Sequence, residues 1–283
     1  MKKHLILLSV AVTTIAFFGC NDKKASSNDN PETTLYATYK PYTRWWWFSS
    51  EIDRHDVRDQ LVWLRDHGFG GVEIAWIYPM GLDSTTVHPD FLSPEWAESV
   101  VYAKKVADSL GLGCDFTYGT LWPFSDVDLP YADQTRTYFE NDACEAGQTV
   151  ESARRGYTWD FPREARILNH LDRNAFRRYA DKMNQGLAEA YKGSKSGVFV
   201  DSWEVETPYL WTPGFGETFK SEHGYDIEPY METQTLIKVD NNDIEVLDTE
   251  VFYDYMHTLS GYVLREFYGP FADNATSVGA FSR

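Results

Sequence analysis

Acids flank an indole over one short stretch of this 283-residue chain, Asp201-Ser202-Trp203-Glu204-Val205-Glu206. They follow Gly197-Val198-Phe199-Val200, a β-branched and aromatic run with the composition of a strand buried on both faces. In parallel α/β folds the loops at the carboxyl ends of strands converge on one face, and chemistry collects there. Breaking a glycosidic bond needs one carboxylic acid to protonate the leaving oxygen. An inverting reaction also needs a second carboxylate, about 6.5–9.5 Å away, to activate water. Glu204 is the candidate proton donor, because apolar surroundings beside Trp203 favour the protonated acid. The competing reading makes Glu204 and Glu206 solvated loop acids.

Other residues fit the same chemistry and also fit plainer roles. Asp201 suits orienting Glu204, holding a sugar hydroxyl or ligating an ion, and equally suits capping a turn. Glu73 alternates with Val72 and Ile74 and therefore points away from them, toward either a polar site or a structural salt bridge. Trp46, Trp47, Trp76, Trp122, Trp203 and Trp211 fall near predicted strand ends, where an indole face can stack on a sugar. Core packing competes for them; two or three of the six are expected to face a site, with Trp63 and Trp96 assigned to the core. The histidines His55, His67, His88, His170, His223 and His257 show no ligand spacing and read mostly as surface residues. Cys114 lies in an apparent strand and reads as a small buried apolar residue; pairing with Cys144 is not required.

The elements that must position these groups alternate in type. Strands are predicted at 44–48, 71–77, 113–118 and 197–201, with a fifth beginning at Gly279-Ala280-Phe281. Asp53 can cap a helix carrying Val57, Leu61 and Leu64, which stops at Gly68. Ser93-Pro94-Glu95-Trp96 opens a second helix that ends at Gly111. Further helices are expected over 174–191, from Thr212-Pro213 to about Gly224, and over about 243–277. The stretch 121–171 reads as irregular. Strand–helix alternation means a parallel sheet with right-handed crossovers, curling toward a barrel. The fold class is α/β, a partial (β/α)8 TIM-type barrel of about four βα units with insertions.

Ahead of this body stands a targeting segment. Lys2 and Lys3 precede an apolar run from Leu5 to Phe18 that ends in Gly19-Cys20. The division read from composition is a lipoprotein signal over 1–19, a flexible tether over 20–36 and the barrel half over 37–283. Acylation of Cys20 would anchor the protein in a membrane after export across the inner membrane, in the outer membrane or periplasm of a Gram-negative cell. The formal charge of −17, or −19 without Lys2 and Lys3, argues against nucleic-acid binding. No Gly-rich phosphate loop or nucleophile elbow occurs.

Several motifs in order resemble glycoside hydrolase family 106, the α-L-rhamnosidase-like enzymes. They are Arg44-Trp45-Trp46-Trp47, Gly70-Gly71-Val72-Glu73-Ile74, Phe91-Leu92-Ser93-Pro94-Glu95-Trp96 and Gly119-Thr120-Leu121-Trp122-Pro123-Phe124. Asp201-Ser202-Trp203-Glu204, Trp211-Thr212-Pro213 and Gly224-Tyr225-Asp226 continue the series. The resemblance implies a (β/α)8 catalytic domain, inverting hydrolysis of a terminal α-L-rhamnoside and a calcium ion at the sugar site. It also implies a carbohydrate substrate, with Asp201, Glu206, Glu73, Trp47, Trp76, Trp122, Trp203 and Trp211 near it. Members of that family are longer, so this chain is expected to correspond to the N-terminal half of such a barrel and to need the other half for full activity. The alternatives are a non-catalytic lipid-anchored glycan-binding protein and an inactive fragment.

Overall fold

The computed structural model describes residues 40–47, 51–76, 89–120, 125–126, 129–138, 166–203, 205, 209–240 and 243–283. Cys20, the signal and the tether lie outside this set, as do Trp122, Cys144, Glu204 and Glu206.

Strand β1 (Tyr42–Trp47) leads to helix α1 (Arg54–Asp66), β2 (Gly71–Trp76), α2 (Pro94–Leu110) and β3 (Gly113–Thr117). Short strands β4 (Ser125–Asp126), β5 (Arg136–Thr137) and β6 (Arg166–Ile167) follow in the stretch expected to be irregular. Then come α3 (Arg173–Leu187), β7 (Gly197–Phe199), β8 (Leu210–Trp211), α4 (Phe215–His223), α5 (Glu228–Glu232), β9 (Ile237–Asp240) and β10 (Asp243–Val246). Helix α6 (Thr249–Val263) runs through a π-helical turn, Leu264–Tyr268, into α7 (Gly269–Ser277), and β11 (Phe281–Ser282) closes the chain.

Five strands form one parallel sheet in the order β1-β2-β3-β7-β11, so the four expected strands and the fifth lie side by side in sequence order. Helix boundaries follow local chemistry. The Asp53 carboxylate accepts from the His55 and Asp56 amides at 2.6 and 3.1 Å, and the Ser93 hydroxyl accepts from Trp96 N at 3.2 Å. Gly111, at φ +71°, takes the left-handed conformation that ends α2.

Two expected helices differ. Thr212-Pro213 does not open α4: Phe215 N donates to Thr212 O at 3.1 Å across Pro213-Gly214, and Gly214 has φ +83°. That is a turn with Pro at its second and a left-handed Gly at its third position, so the helix begins only at Phe215. The single helix expected over 243–277 starts instead with β10, which pairs antiparallel with β9. Ile237-Lys238-Val239-Asp240 and Asp243-Ile244-Glu245-Val246 alternate with period two, and that alternation prevails over the helical reading. Further on, Pro270 has no N–H to continue the ladder, and the π turn lies immediately before it.

The sheet has unlike faces. Trp47, Val72, Ile74, Trp76, Cys114, Phe116, Tyr118, Val198 and Val200 pack with α1, α2, α3 and α7 into the main core. A second apolar cluster joins β8, α4, α5, β9 and α6 around Trp211, Phe215, Phe219, Met231 and Leu259. Trp96 is core as expected, but Trp63 is 55% exposed and stacks on His67 at 3.9 Å. Val57, Leu61 and Leu64 define the buried stripe of α1, and position 63 lies off it.

Candidate active site at the carboxyl ends of the parallel strands

The other face of the sheet is polar, because alternation places charged or hydroxylated residues on β1, β2 and β3, with Asp201 just past the end of β7. Near the amino ends, Tyr42 crosses Gly71 and Gly113: a Cβ on Gly113 would sit 2.7 Å from Tyr42 Cζ. Only a glycine allows the phenol to lie against the backbone there. Buried Asp115 accepts from Gly197 N at 2.6 Å and pairs with Arg283, whose guanidinium lies 5.7 Å over the Tyr42 ring. Burial, and then the Asp115 charge, push the Tyr42 phenol up to about 12.

One layer higher, toward the carboxyl ends, Arg44 of β1 joins two acids. Its Nε donates to Glu73 Oε1 at 3.1 Å and its Nη1 to Asp201 Oδ2 at 2.9 Å. Thr117 of β3 donates to the same Glu73 oxygen at 2.8 Å. The guanidinium lies over the Phe199 ring at 4.5 Å and over Trp46 at 5.4 Å. Four adjacent strands, β1, β2, β3 and β7 with its following residue Asp201, thus meet in one network. Glu73 points away from Val72 and Ile74 as its alternation requires, and its partner is Arg44.

Two residues beyond Asp201, Trp203 packs against the second apolar cluster, at 5.7 Å from the buried His170 ring. The Trp203 Nε1 is buried with no hydrogen-bond partner among the described residues. His170 packs on Phe267 at 4.0 Å, and its Nδ1–H donates to Leu168 O at 2.7 Å. Desolvation holds its imidazole neutral, with a pKa lowered to about 3. Tyr268 of the π turn reaches the same region: burial first, and the Asp201 charge second, raise its phenol.

Of the residues expected at a sugar site, Asp201 and Glu73 come together on Arg44, while Trp203 packs against the second apolar cluster. Trp47, Trp76 and Trp211 do not present their faces: each is buried, Trp47 edge-on to Trp45, Trp76 to Trp96 and Trp211 to Tyr138. They fall on the helix-facing side of the sheet or in the second cluster, so core packing takes them. Among the described members of the six, Trp46 is the most open, at 43% exposed. Arg44 and Thr117 were missed as site residues. The inward alternation that singled out Glu73 also covers Arg44, one strand earlier in register, and Thr117, two residues beyond Asp115.

Calcium takes six to eight oxygen ligands. The described acids do not form that cradle, because Glu73 and Asp201 turn carboxylate oxygens onto one guanidinium. The Asp201 Oδ1 accepts from Ser202 N at 2.8 Å.

Residues 164–280 match the alpha-L-rhamnosidase family model, the family whose motifs the sequence resembles. The fold is similar to the solved structure of a rhamnosidase from Novosphingobium sp. PP1Y, with a TM-score of 0.61 and 12% identity. That match covers 89% of this chain and 46% of the other, so this chain spans about half the length of its structural neighbour. No curated protein matches the sequence. The resemblances support a glycoside hydrolase-like protein with a mixed α/β fold and a parallel sheet.

Proposed function

We propose that this chain carries the N-terminal half of a (β/α)8 barrel of an inverting α-L-rhamnosidase, lipid-anchored through Cys20. The observation that supports it most is the Arg44–Glu73–Thr117–Asp201 network at the carboxyl ends of four neighbouring parallel strands. Both acids accept from one guanidinium, which suits them to fix its position and to accept from sugar hydroxyls. Neither is arranged as the proton donor. Glu204, three residues beyond Asp201, takes that role in this reading.

The second carboxylate and the remaining strands would come from the other half of the barrel, so turnover by the chain alone is expected to be weak. The test compares this chain with the longest natural polypeptide that contains it, on an aryl α-L-rhamnoside. Glu204→Gln in the longer form should lower kcat about 100- to 10,000-fold while rhamnose binding stays close to the parent, since the amide keeps the shape but cannot give a proton. Unchanged kcat removes Glu204 from the mechanism. Binding without turnover in the parent supports the glycan-binding alternative.

A further inference from the structure

Away from the sheet, Glu222 and His223 at the carboxyl end of α4 face His257 of α6. One ligand atom from each of the three lies within 4.8 Å of the others. Spacing in the chain does not announce this group, because His223 and His257 are 34 positions apart; the packing of α4 on α6 in the second apolar cluster brings them together.

We propose that Glu222, His223 and His257 form a binding site for a divalent cation of the zinc type, tying α4 to α6. Two imidazoles and one carboxylate are a zinc donor set, with a fourth position left to water. The same set is poor for calcium, which prefers oxygen alone. Geometry agrees. The His223 Nε2 and Glu222 Oε2 are 3.9 Å apart, too far for a hydrogen bond and near the roughly 3.4 Å edge of a tetrahedron with bonds of about 2.0–2.1 Å. The His257 ring stands 5.6 Å from that of His223 at 84°, and it is exposed and free to close the remaining distance.

The surroundings are built as an outer shell. His223 Nδ1 faces Asp254 Oδ1 at 3.4 Å, a carboxylate placed as the outer partner of a metal-binding imidazole is. Asp254 is held in turn by the Tyr225 hydroxyl, which donates to Oδ2 at 2.9 Å. Thr258 donates to Glu222 Oε2 at 2.6 Å and, its one proton used there, accepts from His223 Nε2 at 3.1 Å; the hydroxyl holds the two ligand atoms on one side, and a cation would take its place at Nε2. The site also sits at the negative end of the α4 dipole, which favours a cation.

The test is zinc binding by the full chain after chelator treatment, read by calorimetry and by the rise in Tm. One equivalent of zinc is expected, with cobalt giving the visible bands of a four-coordinate ion and calcium failing to compete. His257→Ala, an exposed change that leaves the fold in place, should weaken zinc at least 100-fold and abolish the Tm rise. Asp254→Asn should weaken it 10- to 100-fold with the stoichiometry kept. His55→Ala, at another exposed histidine beside an acid, should change nothing. A parent chain that takes up no zinc, or one whose affinity survives both His223→Ala and His257→Ala, overturns the site.

Discussion

Arg44 is the residue on which the polar face depends. Its side chain is partly buried and pairs with Glu73, which is nearly sealed from water. Removing the cation leaves that carboxylate without its counter-charge, whereas removing Arg44 and Glu73 together leaves only the more open Asp201 without its partner. Arg44→Met is therefore expected to cost about 3 kcal/mol in urea unfolding, and Arg44→Met with Glu73→Leu to recover most of it. His170 gives a pH signature. The folded state keeps it neutral down to about pH 3, while the unfolded chain protonates it below 6.5. Its contribution is intact above pH 6.5 and is lost as pH falls toward 3, with a slope of at most about 1.4 kcal/mol per pH unit. His170→Asn, which can keep the hydrogen bond to Leu168 O, should flatten stability measured between pH 6.5 and 4. An unaltered slope would assign the acid sensitivity to other groups.

At the scale of elements, the sheet is shaped by what its glycines leave out. Gly71 and Gly113 open the floor on which the Tyr42 ring lies, coupling β1 to β2 and β3 beyond their backbone ladders. A methyl at Gly113 would push against the phenol and against a packed sheet. Gly113→Ala is expected to destabilise by about 2–3 kcal/mol. Because the clash is with one side chain, Gly113→Ala combined with Tyr42→Ala should lose less than the two changes summed, by chemical denaturation. Strict additivity would place the strain elsewhere.

For the molecule as a whole, β1 pairs only with β2, and β11 only with β7, among the described residues. Such edges offer unpaired backbone groups, and the proposed barrel reading supplies the strands that would cover them. The proposed anchor belongs to this scale too. If Cys20 carries lipid, the parent should fractionate with membranes and Cys20→Ala should appear in the soluble fraction. Equal membrane retention of the variant would exclude acylation at that position.

Local signals were enough for much of the fold. Asp53 and Ser93 mark helix starts, Gly111 a helix end, and Gly71–Trp76 a strand, because caps, left-handed glycines and alternation act within a few residues. Alternation also turned Glu73 away from the core. It did not identify its partner, since Arg44 and Asp201 are 29 and 128 positions from Glu73 and meet it only when parallel strands align. Composition marks tryptophan as a sugar platform and as core alike. Only packing assigned Trp76 and Trp211 to the interior and set Trp203 against the second apolar cluster. The same holds for Glu222, His223 and His257: three residues become one cluster because two helices bury their apolar stripes against each other, a long-range event that no spacing along the chain records.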